Sequence, residues 1–214
     1  MEPSPADPRD TLLRRLLLRS PVLPVLTVPD AEAAPDLARA LHEGGIPVVE
    51  VTLRTAAALD AIRRIAAEVP EVVVGAGTVT RADDLARARD AGARFTVSPG
   101  LTPGLAGAAS RCEIPLLPGV ATASEAMAAR DLGFAILKLF PAEAIGGREL
   151  LRALAGPLPE LEFCPTGGVG PENFRAYLEL PNVISVGGSW VAPRAAVEAR
   201  DWSRIRELAL QVTA

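Results

Sequence analysis

The chain reads as an α/β protein of the (β/α)8 class, a TIM barrel with an extra N-terminal helix. Eight short runs rich in β-branched and other apolar residues recur, their starts about 20 to 26 residues apart. Most are apolar throughout rather than alternating, which suits parallel strands buried on both faces. Amphipathic stretches fill the intervals, and no linker or low-complexity segment interrupts the repeat, so a single domain over 1–214 is expected. An open doubly wound sheet is the other α/β arrangement, but five or six strands are more usual for it. At 214 residues the barrel would be near the compact end of its range.

The N-terminal segment comes first. Residues 1–8 are expected to be flexible and residues 9–20 to form the extra helix. Leu12, Leu13, Leu16 and Leu17 share one helical face, and Ser20-Pro21 ends it. Leu16-Leu17-Leu18 is too short, between Arg14, Arg15 and Arg19, for a secretory segment, and Glu2, Asp7 and Asp10 argue against a transit peptide. Strands are placed near Val22–Thr27, Val48–Leu53, Val72–Ala76, Phe95–Ser98, Leu116–Gly119, Ile136–Phe140, Leu161–Pro165 and Val183–Val186. Leu37 and Leu41 mark the helix after the first, and Leu59, Ile62, Ile65 and Ala66 the helix after the second. Glu32, Thr55, Asp83, Glu172 and Asp201 lie near helix starts, where short polar or acidic side chains are favoured. The closing helix carries Trp202, Ile205, Leu208 and Val212 on one side.

Composition narrows the function. The chain is 49% hydrophobic but only 4% aromatic, so Ala, Val and Leu must fill the interior. A net charge of -4 and a pI near 5.2 argue against a nucleic-acid partner. No uncharged apolar stretch approaches the roughly 18 residues that span a bilayer, so no membrane partner is expected. Two cysteines, Cys112 and Cys164, read as buried thiols in a reducing compartment, and the protein is expected to be cytoplasmic. His42, the only histidine, reads as a solvated helix-terminal residue, and no zinc ligand cluster can be assembled from this set.

Lys138 is the only lysine, within Phe134-Ala135-Ile136-Leu137-Lys138-Leu139-Phe140-Pro141; the other 21 basic residues of the 22 are arginines. An amine can lose its proton and attack a carbonyl, which a guanidinium cannot do. Side chains alternate along a strand, so Ile136, Lys138 and Phe140 share one face of the sixth strand and the amine points into the barrel. A lysine that reaches the rim, or one that only pairs with Glu50, is the alternative. A fall of about three units from the ordinary 10.4 would leave a large share of the amine neutral at pH 7. On the second strand Glu50, Thr52 and Arg54 share the inward face. A self-satisfying Glu–Arg pair is the other reading, although buried ion pairs seldom repay their desolvation.

Glycines supply the next signal. Pro165-Thr166-Gly167-Gly168-Val169-Gly170 follows the seventh strand and Gly187-Gly188-Ser189-Trp190 the eighth. Loops at these places commonly hold phosphate on backbone amides, and Gly146-Gly147 is a further candidate. Gly75-Ala76-Gly77-Thr78 and Ser98-Pro99-Gly100 close the third and fourth strands, with Thr78 a hydroxyl donor toward a carboxylate near Arg54; ordinary turn chemistry is the alternative for both.

Taken together, these segments resemble the 2-keto-3-deoxy-6-phosphogluconate (KDPG) aldolase / 4-hydroxy-2-oxoglutarate aldolase family. The resemblance rests on Gly45-Ile46-Pro47-Val48-Val49-Glu50-Val51-Thr52-Leu53-Arg54-Thr55, Val74-Gly75-Ala76-Gly77-Thr78 and Ser98-Pro99-Gly100, then on Leu137-Lys138-Leu139-Phe140-Pro141-Ala142-Glu143, Phe163-Cys164-Pro165-Thr166-Gly167-Gly168 and Val186-Gly187-Gly188-Ser189-Trp190. It implies a metal-independent class I barrel aldolase, usually a homotrimer. No cofactor is implied beyond the imine itself. Lys138 would form the Schiff base and Glu50 would be the general acid/base. Arg54 and Thr78 would bind the pyruvate carboxylate, Pro99, Phe140 and Thr166 would line the pocket, and Gly167, Gly168, Gly188 and Ser189 would hold the phosphate. The reaction implied is reversible cleavage of KDPG to pyruvate and D-glyceraldehyde 3-phosphate, so the partners are a small 2-keto acid and a phosphorylated aldehyde. The same chemistry on 4-hydroxy-2-oxoglutarate or 2-keto-3-deoxy-6-phosphogalactonate is the near alternative. A phosphosugar isomerase or epimerase barrel, or a non-catalytic phosphate-binding barrel, lies further off. Ile145 departs from the Asn that the family often carries before Gly146-Gly147, at the phosphate end of the site.

Overall fold

The computed structural model describes residues 8–213. Strands β1 (Val22–Leu26), β2 (Val48–Thr52), β3 (Val73–Gly77), β4 (Thr96–Val97), β5 (Leu116–Leu117) and β9 (Val186–Gly188) form a curled six-stranded sheet in the order β5-β4-β3-β2-β1-β9. Strands β6 (Gly119–Val120), β7 (Ile136–Leu139) and β8 (Glu162–Pro165) form a second sheet of three. Every pairing in both sheets is parallel. Helices alternate with the strands: α1 (Pro8–Leu17), α2 (Ala34–Glu43), α3 (Ala58–Glu68), α4 (Ala82–Asp90), α5 (Pro103–Ala109), α6 (Ala123–Asp131), α7 (Gly147–Ala155), α8 (Phe174–Leu178), α9 (Arg194–Glu198) and α10 (Trp202–Thr213).

Two departures from the expected strands have clear causes. The predicted fifth strand, Leu116–Gly119, is two short strands on either side of Pro118. Leu117 pairs with Val97, whereas Gly119 pairs with Lys138. Pro118 has no N–H to give, but its carbonyl accepts from the Lys138 amide at 2.8 Å. The predicted last strand, Val183–Val186, lies further on, at Val186–Gly188, with Val183 retained only as a single bridge to Phe163. Gly187 and Gly188, expected in a loop, are strand residues. A Cβ at Gly187 would strike the Thr166 side chain, and one at Gly188 the Trp190 ring, so the strand must be bare at both places.

The alternation along β2 comes out as read. Val49 and Val51 face the helices within the larger apolar cluster, and Val48 faces inward with Leu23, Phe95, Val97, Leu117, Ile136 and Cys164. Helix α1 adds Leu13, Leu16 and Leu17 to this inner cluster. Burying each such leucine is worth about 1.5–3 kcal/mol, so α1 is held by the core of the sheets. Arg14 pairs with Glu162 of β8 at 2.8 Å, and Asp10 accepts from the Ala135 amide at 3.1 Å. The helix runs from Pro8 to Leu17 rather than over 9–20. Leu18 is 56% exposed, and the residue preceding Pro21 is disfavoured as helix. Of the segment expected to be flexible, Pro8 is helical and residues 1–7 lie outside the described residues.

The helix starts show one exchange of neighbours. Asp201 caps α10 by accepting from the Arg204 amide at 3.0 Å. At α4, Asp84 rather than Asp83 accepts from the Thr80 and Arg81 amides. Ile205 and Val212 of α10 are buried, with Trp202 partly so.

Candidate active site

The alternation that turns Val48 inward also turns Glu50 inward, where the carboxylate is 1% exposed. Lys138, on β7, is 6% exposed, and its Nζ lies 3.7 Å from Glu50 Oε1. That separation is an ion-pair distance rather than a hydrogen bond, and Glu50 Oε1 is buried with no hydrogen-bond partner. A buried carboxylate oxygen left without a donor is costly to keep. The ring of Phe140, the residue just after β7, has its centroid 5.5 Å from the amine. Cys164 stands in register with Lys138 on β8. Burial pushes its thiol up to about 12; Lys138 opposes the rise and the Glu50 carboxylate adds to it.

Room for Glu50 comes from β3. A Cβ on Gly77 would fall onto the Glu50 carboxylate, and one on Gly75 would enter the Phe95 ring. These two glycines, spaced two apart and so on one face, thin the inner wall of the strand. The sequence shows that spacing, but nothing in it names the side chains that use the space.

Arg54 follows β2, and its Nε donates to Thr78 Oγ1 at 3.1 Å. Thr78 has φ 57°, a left-handed conformation that a β-branched residue rarely adopts and holds only where its surroundings impose it. Thr52, on the same inward face, is occupied otherwise: its hydroxyl donates to the Leu26 carbonyl at 2.8 Å.

Above this group opens a cavity of about 770 Å³. Arg54, Phe140, Thr166, Gly167, Gly168, Gly188 and Ser189 all stand on its wall. Gly167 and Gly168 have φ +98° and +78°, backbone open in practice only to glycine. The Glu143 amide donates to the Gly167 carbonyl at 3.0 Å and the Ala142 amide to that of Thr166 at 2.8 Å, tying this loop to the turn after β7. Lys138 and Glu50 are not wall residues of the cavity. Phe140, just after β7, is on the wall and its ring contacts the Lys138 amine, so the pair sits beneath the floor that Phe140 helps to form.

Thr78 and Pro99 also lie outside that wall. Thr78 joins the site through Arg54, whereas Pro99 is exposed, with its carbonyl carbon and oxygen packed against Gly119. Gly146-Gly147 does not reach the cavity either. Gly147 is buried at the start of α7 against the Tyr177 hydroxyl. That hydroxyl donates to Glu143 Oε1, and burial together with the Glu143 anion pushes it well above the usual phenol range. Ile145 packs against the larger apolar cluster rather than into the cavity. His42 is exposed at the end of α2. Among the described residues, no group of three or more His, Cys, Asp or Glu side chains is placed to hold a metal ion.

Sequence reading missed Trp190, which lines the cavity, lies on Gly188 and meets the Phe174 ring at 5.7 Å. It also missed Arg194 and Glu198 on the outer wall. An aromatic directly after Gly187-Gly188-Ser189 was the available signal for Trp190; the α9 pair had none.

The family profile described as "Aldolase: KDPG and KHG aldolase" matches residues 13–208. The chain belongs to this family. The 2-dehydro-3-deoxy-phosphogluconate aldolase of Pseudoalteromonas atlantica is 53% identical over 196 residues, covering 92% of this chain and 91% of its own length. The KHG/KDPG aldolase of Escherichia coli K12 is 51% identical over 199 residues, 93% of each chain. Among solved structures, the KDPG aldolase of Legionella pneumophila, with pyruvate captured as a covalent carbinolamine intermediate, superposes with a TM-score of 0.91 at 45% identity, covering 93% of this chain and 97% of that one. The Zymomonas mobilis ZM4 enzyme with 3-phosphoglycerate gives 0.89 at 46% identity, covering 94% of each.

Proposed function

We propose that this protein is a class I aldolase that cleaves KDPG reversibly to pyruvate and D-glyceraldehyde 3-phosphate. The observation that carries the reading is the juxtaposition of Lys138 Nζ and Glu50 Oε1, 3.7 Å apart and almost wholly buried beneath an open cavity. A family member of 45% identity that holds pyruvate as a carbinolamine supports the covalent route.

In this reading the free amine of Lys138 attacks the C2 ketone of the 2-keto acid. Glu50 carries protons while the carbinolamine loses water, and its unpartnered oxygen is free to do so. The iminium then serves as an electron sink. Glu50, directly or through a water, takes the C4 hydroxyl proton, the C3–C4 bond breaks and the phosphorylated aldehyde leaves. The pyruvyl enamine is protonated and hydrolysed, which restores Lys138. Arg54, fixed by Thr78, holds the carboxylate of the keto acid. Phe140 and Thr166 line the pocket with Pro99 at its edge, and the backbone of Gly167, Gly168 and Gly188 with the Ser189 hydroxyl receives the phosphate. No cofactor enters this scheme.

The two sheets are read as one (β/α)8 barrel. β5 and β6 are halves of a single strand, and the bridge between Thr166 and Gly187 joins β8 to β9. Helix α1 closes its amino-terminal end, and the whole chain forms one domain. Assembly as a homotrimer and residence in the cytoplasm complete the proposal; no helix among the described residues is long and apolar enough to cross a membrane.

Incubation with pyruvate and borohydride, followed by peptide mass mapping, tests the chemistry. The adduct is expected on Lys138, with none in Lys138→Ala, and Glu50→Gln should slow turnover by about 10²–10⁴-fold while some imine still forms. A wild-type protein that pyruvate does not trap would instead favour an isomerase or epimerase on the same scaffold. The E. coli relative's name adds 4-hydroxy-2-oxoglutarate as a second substrate, and comparing kcat/KM for the two substrates ranks them.

A further inference from the structure

The cavity wall continues past the phosphate loop onto α9. Arg194 and Glu198 stand there, paired Nε to Oε1 at 2.7 Å across one turn, and the arginine side chain is 88% exposed. Among the described residues of that wall, Arg54 and Arg194 are the cations and Glu198 the one carboxylate. We propose that Arg194 is a further specificity-determining residue, whose guanidinium leaves Glu198 to pair with the distal phosphate of the substrate. The inference rests on the aldolase reading above and deepens it.

Three observations lead there. The first is charge. A phosphate monoester carries about -1.5 to -2 at neutral pH, and glycine amides with one hydroxyl bind its oxygens without neutralising it. Arg54 is already engaged with Thr78 at the opposite end of the site, so Arg194 is the remaining cation of the wall.

The second is distance. β1 pairs with β2 on one side and with β9 on the other. The ends of β2 and β9 are thus two strand spacings apart, about 10 Å, and Arg54, just beyond β2, and Arg194, at the start of α9, stand on the wall of one cavity. That spacing is the order of length of a six-carbon acid with an anion at each end, and both guanidinium groups belong to the cavity that would hold it.

The third is the ease of exchange. An exposed pair one helical turn apart is weakly held and screened by salt. A guanidinium fork matches phosphate oxygens in two-point contact, and a dianion outcompetes a single carboxylate. Glu198 then has a defined effect: it holds Arg194 along α9 and competes with the incoming phosphate.

Steady-state kcat and KM for KDPG and for 2-keto-3-deoxygluconate, its unphosphorylated counterpart, test this in wild type, Arg194→Ala, Arg194→Lys and Glu198→Gln. The ratio of the two kcat/KM values should fall by about three- to tenfold in Arg194→Ala, chiefly through KM for the phosphorylated substrate. Arg194→Lys should lie between, since it keeps charge and loses the fork, and Glu198→Gln should move the ratio the opposite way. Pyruvate and borohydride trapping of the same proteins keeps the two levels apart. If wild type is not trapped, the aldolase reading itself fails. If wild type is trapped and the ratio in Arg194→Ala stays within about twofold of it, the role of Arg194 alone is overturned.

Discussion

Replacing Gly77 by alanine probes how the fold holds Glu50, the proposed general acid/base. Gly77 ends β3 and is not one of the positive-φ glycines, so alanine meets no backbone penalty there. The added methyl would overlap the Glu50 carboxylate and come within 2.5 Å of Cγ and Cδ. Glu50 is 1% exposed, so its carboxylate cannot retreat into solvent and must leave its place opposite Lys138 to make room for the methyl. Only the end of one side chain moves, so the stability cost should fall near the lower end of the usual 1–3 kcal/mol for overpacking, about 2–4 °C in Tm. The catalytic cost should approach that of losing the proton carrier, about 10²–10⁴-fold in kcat/KM. Gly75→Ala is the matched control. Its methyl would meet the Phe95 ring, a fully buried group in the inner cluster that cannot step aside, so Tm should fall further while Glu50 keeps its place. A coupled assay of pyruvate release and a thermal melt on both variants give the two rankings. Activity in Gly77→Ala within about threefold of wild type, or the same order of variants in both measurements, would refute the reasoning.

Three further outcomes follow from the same structure. Arg54→Lys keeps a cation but removes the Nε donor to Thr78, so the pyruvate concentration giving half-maximal trapping should rise about five- to tenfold; an unchanged concentration would detach Arg54 from the carboxylate. For Cys164, the folded thiol titrates at about 12 against an ordinary 9.0. The native protein therefore keeps a proton that the unfolded chain has lost. The contribution to stability is full below pH 9 and is lost as pH rises toward 12, with a slope of up to about 1.4 kcal/mol per unit. Wild type minus Cys164→Ala in pH-dependent denaturant melts isolates this term, and a difference that is flat above pH 9 would contradict it. In native protein at pH 8 a thiol reagent should modify the partly exposed Cys112 and spare Cys164 until the chain is unfolded.

Periodicity and side-chain alternation determined a good deal without any tertiary information. Parallel strands buried on both faces must be apolar along their length, so the eight runs stood out, and the period of two placed Glu50 and Lys138 inward with Val49 and Val51 facing out. Lys138 announced itself by being the single amine among arginines. Local chemistry misled where glycine had two possible uses. Gly187-Gly188 reads as a loop but is strand, and Thr166 and Trp190 occupy the space a Cβ would need there. Gly146-Gly147 reads as a phosphate cradle but makes way for Tyr177.

What the tertiary structure alone decided is the set of distances between residues far apart in the chain. The 3.7 Å between positions 50 and 138, the hydrogen bond from Arg54 to Thr78 and the overlap that forbids a side chain at Gly77 each depend on how separate strands are set side by side. Arg194 entered the site in the same manner, since β9 returns next to β1 at the end of the chain. A strand's own residues determine which way its side chains point, but the register against its neighbours determines what they meet. That register is a property of the assembled sheets and is written in no single segment.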